Sequence, residues 1–306
     1  MLGATGLEVS AIGMGCWAIG GDAWGPVDDS DSIATIRRAL ELGVTLFDTA
    51  DVYGRGRSEK VLREGLGDRR DDVVLATKVG LWHSGGDRPN AYTDPAMVVE
   101  SCEASLRRLG TDHIDVYQCH LWWDENTEVF LEGFDRLKAQ GKIRAYGVST
   151  NEIDHLRNFD RHRTCDTLQV DYSILHREPE ESVLPYCLDR SIGVIVKGPL
   201  KMGVLTGKFD SATMFAEGDI RRGWPDDPWF REALEQVEGL RPVEREGPLS
   251  QAALAFVLHH PAVTAAIPGA KRPEQMESNA RAADRSLDES ALALIDEVAP
   301  RPQLPA

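Results

Sequence analysis

Gly43-Val44-Thr45-Leu46-Phe47-Asp48-Thr49-Ala50-Asp51-Val52-Tyr53-Gly54 begins as a strand that wants to be buried and ends as a cluster of polar groups. Leu42-Gly43 ahead of it puts glycine where a helix end favours a left-handed cap, and residues 44–47 form a short apolar run of the kind covered on both faces. Similar runs recur at 11–15, 73–77, 114–119, 143–148, 167–170, 193–196 and 264–267. Longer amphipathic stretches lie between them, at 30–42, 58–66, 95–109, 128–140, 152–159, 181–189, 248–259 and 273–283. Asp94-Pro95 supplies an N-cap before a first-turn proline for one of these helices. Eight strands alternating with eight helices predict an α/β chain folded as a (β/α)8 TIM barrel, a single domain over 1–306. The residues in excess of a minimal barrel fall before Ala11 and in 200–247, a long loop after strand seven.

Composition narrows the function. Fifty acidic residues against 34 Lys and Arg give a net charge of −16, which leaves phosphate-backbone binding without electrostatic footing, so no nucleic acid is expected. Neither a membrane segment nor a signal peptide is expected, because no long apolar run stands out and Met1-Leu2-Gly3-Ala4-Thr5-Gly6 lacks a charged region followed by an apolar one. The five cysteines, Cys16, Cys102, Cys119, Cys165 and Cys187, are scattered and odd in number, which fits a reducing cytoplasm better than a disulfide framework or structural zinc site. No His-rich metal motif occurs, and no metal is expected.

Catalytic groups of a barrel come from the C-terminal ends of its strands. There the sequence places Asp48 and Tyr53 after strand two, Lys78 after Val73-Val74-Leu75-Ala76-Thr77, His120 after strand four, Ser149-Thr150-Asn151 after strand five and Gln169 in strand six. Each has an ordinary structural reading: a turn cap for Asp48, an amphipathic surface role for Tyr53, a hydrogen-bonded core histidine for His120. Lys78 resists such a reading, since an ammonium at the barrel mouth is costly to desolvate without a carboxylate, and Asp48 ends the adjacent strand. Together the four form a proton-transfer centre. The lysine cation is expected to lower the tyrosine pKa from about 10, Asp48 to hold Lys78, and His120 to orient a carbonyl oxygen.

The stretch 43–54 resembles the signature of the aldo-keto reductase superfamily. So do Thr5-Gly6-Leu7-Glu8-Val9-Ser10 with Gly13-Met14-Gly15, Lys142-Ile143-Arg144-Ala145-Tyr146-Gly147-Val148-Ser149, Pro199-Leu200-Lys201-Met202-Gly203-Val204-Leu205-Thr206-Gly207-Lys208, and Ile267-Pro268-Gly269-Ala270, all in family order. The resemblance implies NADPH-dependent reduction of an aldehyde or ketone, reversible as alcohol oxidation, with Asp48, Tyr53, Lys78 and His120 as the catalytic tetrad and Tyr53 the proton donor. It further implies that Ser149, Thr150 and Gln169 meet the nicotinamide carboxamide end, with Cys16, Trp17 and Asp48 beside the cofactor. Lys197, Gly198, Pro199, Leu200, Gly203, Leu205 and Lys208 would follow the nicotinamide and pyrophosphate, Gly269, Ala270, Lys271, Gln275 and Asn279 the adenosine end, with Arg221 closing over it.

The pattern departs from the family at several positions. Thr150 stands where many members have Asn, Lys197 where many have an aromatic residue stacked on the nicotinamide, and Gly269 and Gln275 where some have Lys and Arg. This is closer to bacterial inositol-cluster or stress-type members. His120-Leu121-Trp122-Trp123 departs from a frequent His-Trp-Pro. At Lys197 the expectation is that the aliphatic stem covers the ring while the ammonium reaches phosphate or solvent. Trp17, Trp24, Trp82, Trp122, Trp123 and Trp224 fall in predicted mouth loops and suit a sugar or aromatic carbonyl or alcohol substrate, though loop packing accounts for any one of them equally well. Two other functions remain open: a regulatory protein that keeps the barrel and cofactor, and a barrel aldolase or isomerase using Lys78 as a Schiff-base nucleophile.

Overall fold

A computed structural model describes residues 1–81, 92–121 and 126–302. The order of elements is β1 (Met14–Gly15), α1 (Asp29–Glu41), β2 (Leu46–Asp48), α2 (Arg57–Leu66), β3 (Val74–Val79), α3 (Pro95–Leu109), β4 (Ile114–Cys119), α4 (Thr127–Ala139), β5 (Ile143–Ser149) and α5 (Ile153–Phe159). There follow β6 (Thr167–Asp171), α6 (Val183–Arg190), β7 (Gly193–Lys197), α7 (Pro228–Gly239), α8 (Leu249–His259), β8 (Val263–Ala266), α9 (Pro273–Ala280) and α10 (Glu289–Val298). The strands are parallel in sequence order, and bridges Ile12–Ala266 and Gly15–Gly269 bring β8 back to the first strand. This is the (β/α)8 barrel that the alternation predicts.

Side chains alternate across each strand, so the barrel sorts its residues by parity. Leu46, Val74, Ala76, Val116, Ala145, Ile195, Ala265 and Ile267 form a separate apolar cluster with Leu2 and Leu7, which is the barrel interior. The opposite parity, including Phe47, Leu75, Tyr117, Val148, Leu168, Val170 and Val194, packs with the helices into the larger core. The residues before Ala11 thus have a structural use: Leu2 donates its amide to Leu7 O at 2.8 Å, and this tight turn packs both leucines into the base of the barrel. Gly147 is needed where β5 crosses β6, because a Cβ there would lie 1.9 Å from the Thr167 carbonyl oxygen.

Local signals account for the helix starts. Asp94 accepts from the Ala96 amide at 2.8 Å before Pro95 opens α3, and Asp28 caps α1 through the Ser30 and Asp31 amides. Two elements were not expected from the sequence. The 200–247 segment is not loop throughout, because α7 grows from Asp227, whose side chain accepts from Trp229 N, with Pro228 in the first turn. Likewise α10 follows the barrel with Asp288 as its cap.

Candidate active site

One parity argument builds the site. Continuing the inward-facing positions of the strands past the apolar layers gives Asp48, Lys78, Gln118, Ser149, Gln169 and Lys197, all at the C-terminal rim, with His120 two residues beyond Gln118. The register sets Lys78 beside Gln118, Ser149 beside Gln169, and Asp171 beside Lys197.

Lys78 Nζ donates to Asp48 Oδ1 at 2.6 Å, to the Thr49 carbonyl at 2.8 Å and toward Tyr53 OH at 3.4 Å, with the whole lysine buried. Its ammonium also lies 5.0 Å from the Tyr53 ring centre. The second Asp48 oxygen accepts from Gln169 Nε2 at 2.7 Å, and that amide also donates to Gln118 Oε1 at 3.2 Å. Tyr53 and His120 meet edge to face with centroids 6.0 Å apart. The four predicted catalytic residues are therefore brought together around one point above the sheet.

Electrostatics divides their proton states. Burial opposes the Lys78 cation, yet Asp48 and the Tyr53 oxygen outweigh it and hold the lysine above its ordinary pKa. Burial, reinforced by the charges of Lys78 and Lys197, pushes His120 well below the usual imidazole range, so it is neutral at physiological pH. Tyr53 departs from expectation. Lys78 does favour its phenolate, but burial is the larger effect and Asp48 adds to it, so the phenol pKa is raised. The resting tyrosine accordingly holds its proton.

Positions expected to line a cofactor divide into available and engaged groups. Ser149 Oγ accepts from Lys197 Nζ at 2.8 Å, so the lysine bends back to the rim at β5. Thr150 Oγ1 is used locally, accepting from Glu152 N at 3.0 Å ahead of α5. The backbone from Gly198 to Gly203 turns sharply, with positive φ at Gly198, Lys201, Met202 and Gly203. At Gly198 a Cβ would lie 2.5 Å from Asp171 Oδ1. Pro199 is buried and Leu200 partly so. Leu205 is wholly buried and its amide bonds to Leu200 O at 3.1 Å. Cys16 is buried behind Asp48, whose carbonyl accepts its amide at 2.8 Å.

At the other end, Lys271 Nζ donates to the Trp24 carbonyl, and Gln275 Oε1 accepts from Lys271 N at 2.7 Å. Ala270 is buried beside Gly269, which bridges to Gly15. Asn279 is also buried, and its Nδ2 has no hydrogen-bond acceptor among the described residues. Lys208, Arg221, Lys271 and Arg272 are close enough that Lys208 and Lys271, already disfavoured as cations by burial, are pushed lower by their neighbours. Such a concentration of positive charge suits phosphate groups. With the Asn279 amide and His120 Nδ1, both without a partner among the described residues, these residues fit a dinucleotide laid from the rim of β5–β7 to the start of α9.

Arg221 does more than carry charge. It pairs with Asp219 at 2.7 Å, donates to Met202 O at 3.1 Å and lies 4.9 Å from the Trp24 ring centre, while Ile220 N donates to Ala23 O at 3.0 Å. The segment after β7 is thereby fastened to the loop after β1, across the face shared by the residues expected to line a cofactor. Trp24 meets Trp17 edge to face at 5.0 Å, and Trp17, 38% exposed, stacks near Tyr53 at 5.9 Å and 23°. Trp224 instead packs against Phe215, Trp229 and Phe230 in the cluster around α7, the structural alternative for this residue. Trp82, Trp122 and Trp123 lie outside the described residues. Gln118 was missed by the sequence reading. Its signal was a lone amide in the otherwise strand-like 114–119 run, at the inward parity of Lys78.

Comparison with known proteins agrees with this fold. The Aldo/keto reductase family model matches residues 11–300. The chain is 40% identical over 288 residues to Aldo-keto reductase YhdN of Bacillus subtilis (strain 168), covering 90% of this chain and 85% of that protein. It is 33% identical over 318 residues to the NADH-specific methylglyoxal reductase of Escherichia coli (strain K12), covering 97% of each. Among solved structures it is similar to the glycerol dehydrogenase AKR11B4 from Gluconobacter oxydans, with TM-score 0.85 and 31% identity over 98% of this chain and 96% of that one. An aldo-keto reductase from Klebsiella pneumoniae in complex with NADPH gives TM-score 0.76 and 32% identity over 97% and 93%.

Proposed function

The chain belongs to the aldo/keto reductase family, and from that premise we propose that it reduces a small aldehyde or ketone with NADPH, Tyr53 donating the proton. The observation that carries this reading is the continuous contact from Asp48 through buried Lys78 to the Tyr53 hydroxyl, with a neutral His120 alongside. NADPH, when bound, supplies the hydride.

The chain's own residues do the rest. A carbonyl oxygen at the meeting point of Tyr53 and His120 accepts hydrogen bonds from the phenol and the neutral imidazole, which fixes the carbon for attack. As charge develops on that oxygen, the phenol proton moves to it. Lys78 then stabilises the phenolate, and Asp48, held by Gln169, keeps Lys78 charged and in place. In the reverse direction the phenolate must form first. The raised Tyr53 pKa makes that costly near neutral pH, so alcohol oxidation should speed up as pH rises.

The cationic group of Lys208, Arg221, Lys271 and Arg272 supports NADPH over NADH through the extra phosphate, although one relative is named as NADH-specific. Trp17 and Trp24 form an aromatic wall beside Tyr53 that suits the faces of small polyhydroxylated or α-oxo carbonyl compounds. The test is oxidation of NADPH, followed by absorbance, against a panel of sugars, glyceraldehyde, methylglyoxal and simple ketones. Tyr53→Phe should bind NADPH normally and lose about 10²- to 10⁴-fold in turnover. Retention of most activity would remove Tyr53 from its assigned role.

A further inference from the structure

We propose that Lys197 reads the oxidation state of the nicotinamide, its ammonium on Ser149 at the barrel rim disfavouring the cationic oxidised ring against the neutral reduced one, so that the site holds NADPH and expels NADP⁺. This rests on the NADPH reading above and goes beyond it, because it assigns a charge that its neighbours only partly compensate to the step in which oxidised cofactor leaves.

The placement follows from the reacting centre. Hydride transfer demands the ring within contact distance of a carbonyl carbon whose oxygen is held by Tyr53 and His120. The ring must therefore lie over the rim formed by the ends of the inward-facing strands. Lys197 ends β7 on that rim with its Nζ 2.8 Å from Ser149 Oγ, and its charge is felt at His120. An ammonium that had turned outward to solvent or to the phosphate-lining cations would not sit on Ser149.

The charges around Lys197 do not cancel it. Across β2 and β3, Asp48 is already committed to Lys78 and Gln169, and Lys78 adds like charge. His120 after β4 is neutral, and Ser149 of β5 offers a hydroxyl. Asp171 of β6 is the remaining carboxylate within range. It shares its field with Lys201, 3.4 Å from Oδ2, and its Oδ1 is turned to the Gly198 turn. On the β8 side stand Ala266 and Ile267, which carry no charge. Two lysines thus face the ring against one carboxylate, Asp171, that Lys201 shares, among the described residues.

Burial first, and then repulsion from Lys78, brings the Lys197 pKa down to about 8, with Asp171 and Asp48 opposing. The discrimination should therefore be switchable by pH: present when Lys197 is protonated, and fading as pH rises past about 8. Two unit charges a few ångströms apart in a partly screened site repel by enough to change affinity about tenfold or more. A neutral ring feels little of this.

The experiment measures binding, not turnover. NADPH is titrated by fluorescence and NADP⁺ by calorimetry, at pH 6.5 and pH 9, for the wild type, Lys197→Met and Lys197→Arg. In the wild type the ratio Kd(NADP⁺)/Kd(NADPH) should fall about tenfold from pH 6.5 to 9. Lys197→Met, which keeps the stem, should show the low ratio at both pH values. Lys197→Arg, charged throughout this range, should keep a high ratio that does not change with pH. NADP⁺ binding at pH 8 should also release protons from the wild type and from neither variant.

A Lys197→Met ratio at pH 6.5 within threefold of wild type overturns the inference while leaving the reductase assignment intact. If Lys197→Met binds neither nucleotide, Lys197→Arg decides: a pH-independent ratio supports the inference and a wild-type pH dependence overturns it. Failure of the wild type to bind either nucleotide removes both this inference and the cofactor reading.

Discussion

Asp48→Asn removes one charge from a buried pair and changes almost nothing in shape, so its effect can be worked from the structure. Lys78 is fully buried and the Asp48 side chain is 4% exposed. After the substitution the ammonium keeps the Thr49 carbonyl at 2.8 Å but has lost its counter-charge. Breaking a buried pair from one side typically costs about 3 to 5 kcal/mol. An independent bound comes from the lysine itself, which can escape by releasing its proton. At pH 7 that costs about 1.4 kcal/mol for each of the roughly 3.4 pH units below the free-lysine value of about 10.4, or about 4.6 kcal/mol.

The pH dependence has a definite sign. In the wild type Lys78 is held above its ordinary value, so its contribution is complete below the unfolded pKa and is lost only as pH rises through the folded one. In Asp48→Asn the folded value falls below the unfolded one. The unfolded chain then binds the extra proton, and the variant gains stability as pH rises. The deficit should be about 3 to 4.6 kcal/mol at pH 7 and smaller by about 2 to 3 kcal/mol at pH 9 if Lys78 is neutral there. Urea unfolding at both pH values, with an unchanged denaturant slope, reads this directly. Asp48→Asn with Lys78→Met should recover much of the stability and none of the activity. A deficit under about 1 kcal/mol at pH 7, or a double variant no more stable than the single, would refute the claim that Asp48 is what keeps Lys78 charged.

Two further outcomes are expected. His120, pushed far below the ordinary imidazole range, should show no titration in its imidazole NMR signals between pH 8 and pH 6, and the folded protein should lose stability as pH falls below about 6.5, where the unfolded chain takes up that proton; a midpoint above about pH 6 would overturn that direction, and one above about pH 7 would make it a charged group and change its role. Lys271→Ala should weaken NADPH by about 10- to 150-fold, the equivalent of about 1.5 to 3 kcal/mol for a charge-assisted contact, and leave NADH nearly unchanged; equal losses for both cofactors would assign Lys271 to fastening Trp24 instead.

What was legible in the sequence follows from periodicity. The alternation of short apolar runs with amphipathic stretches locates the strand ends, and polar side chains that a core would not want at those ends mark the barrel mouth, which is why Asp48, Lys78, Ser149 and Gln169 could be picked out from the sequence. Gln118 escaped this reading, because an amide between Tyr117 and Cys119 in an apolar run reads as an interruption until Lys78 is seen in register with it. Helices α7 and α10 were hidden for another reason. Their caps are local, but neither belongs to the βα repeat that organised the rest of the reading.

The net proton affinity of Tyr53 lay beyond sequence altogether, because it balances influences with different ranges. The charge of Lys78 acts from a neighbouring strand end and can be anticipated from spacing. The loss of solvent around the phenol is set by everything that covers it, including Trp17 from the loop after β1. Spacing therefore predicted the sign of the lysine's influence correctly and the net direction incorrectly. The same distinction separates Tyr53 from Lys197. Burial disfavours the phenolate and disfavours the ammonium, so one environment keeps the tyrosine protonated for reduction while bringing the lysine close to losing its proton. A single dry rim thus keeps the proposed proton donor protonated and brings the proposed charge opposite the ring close to neutral, and any substitution that lets water onto that rim should move both at once.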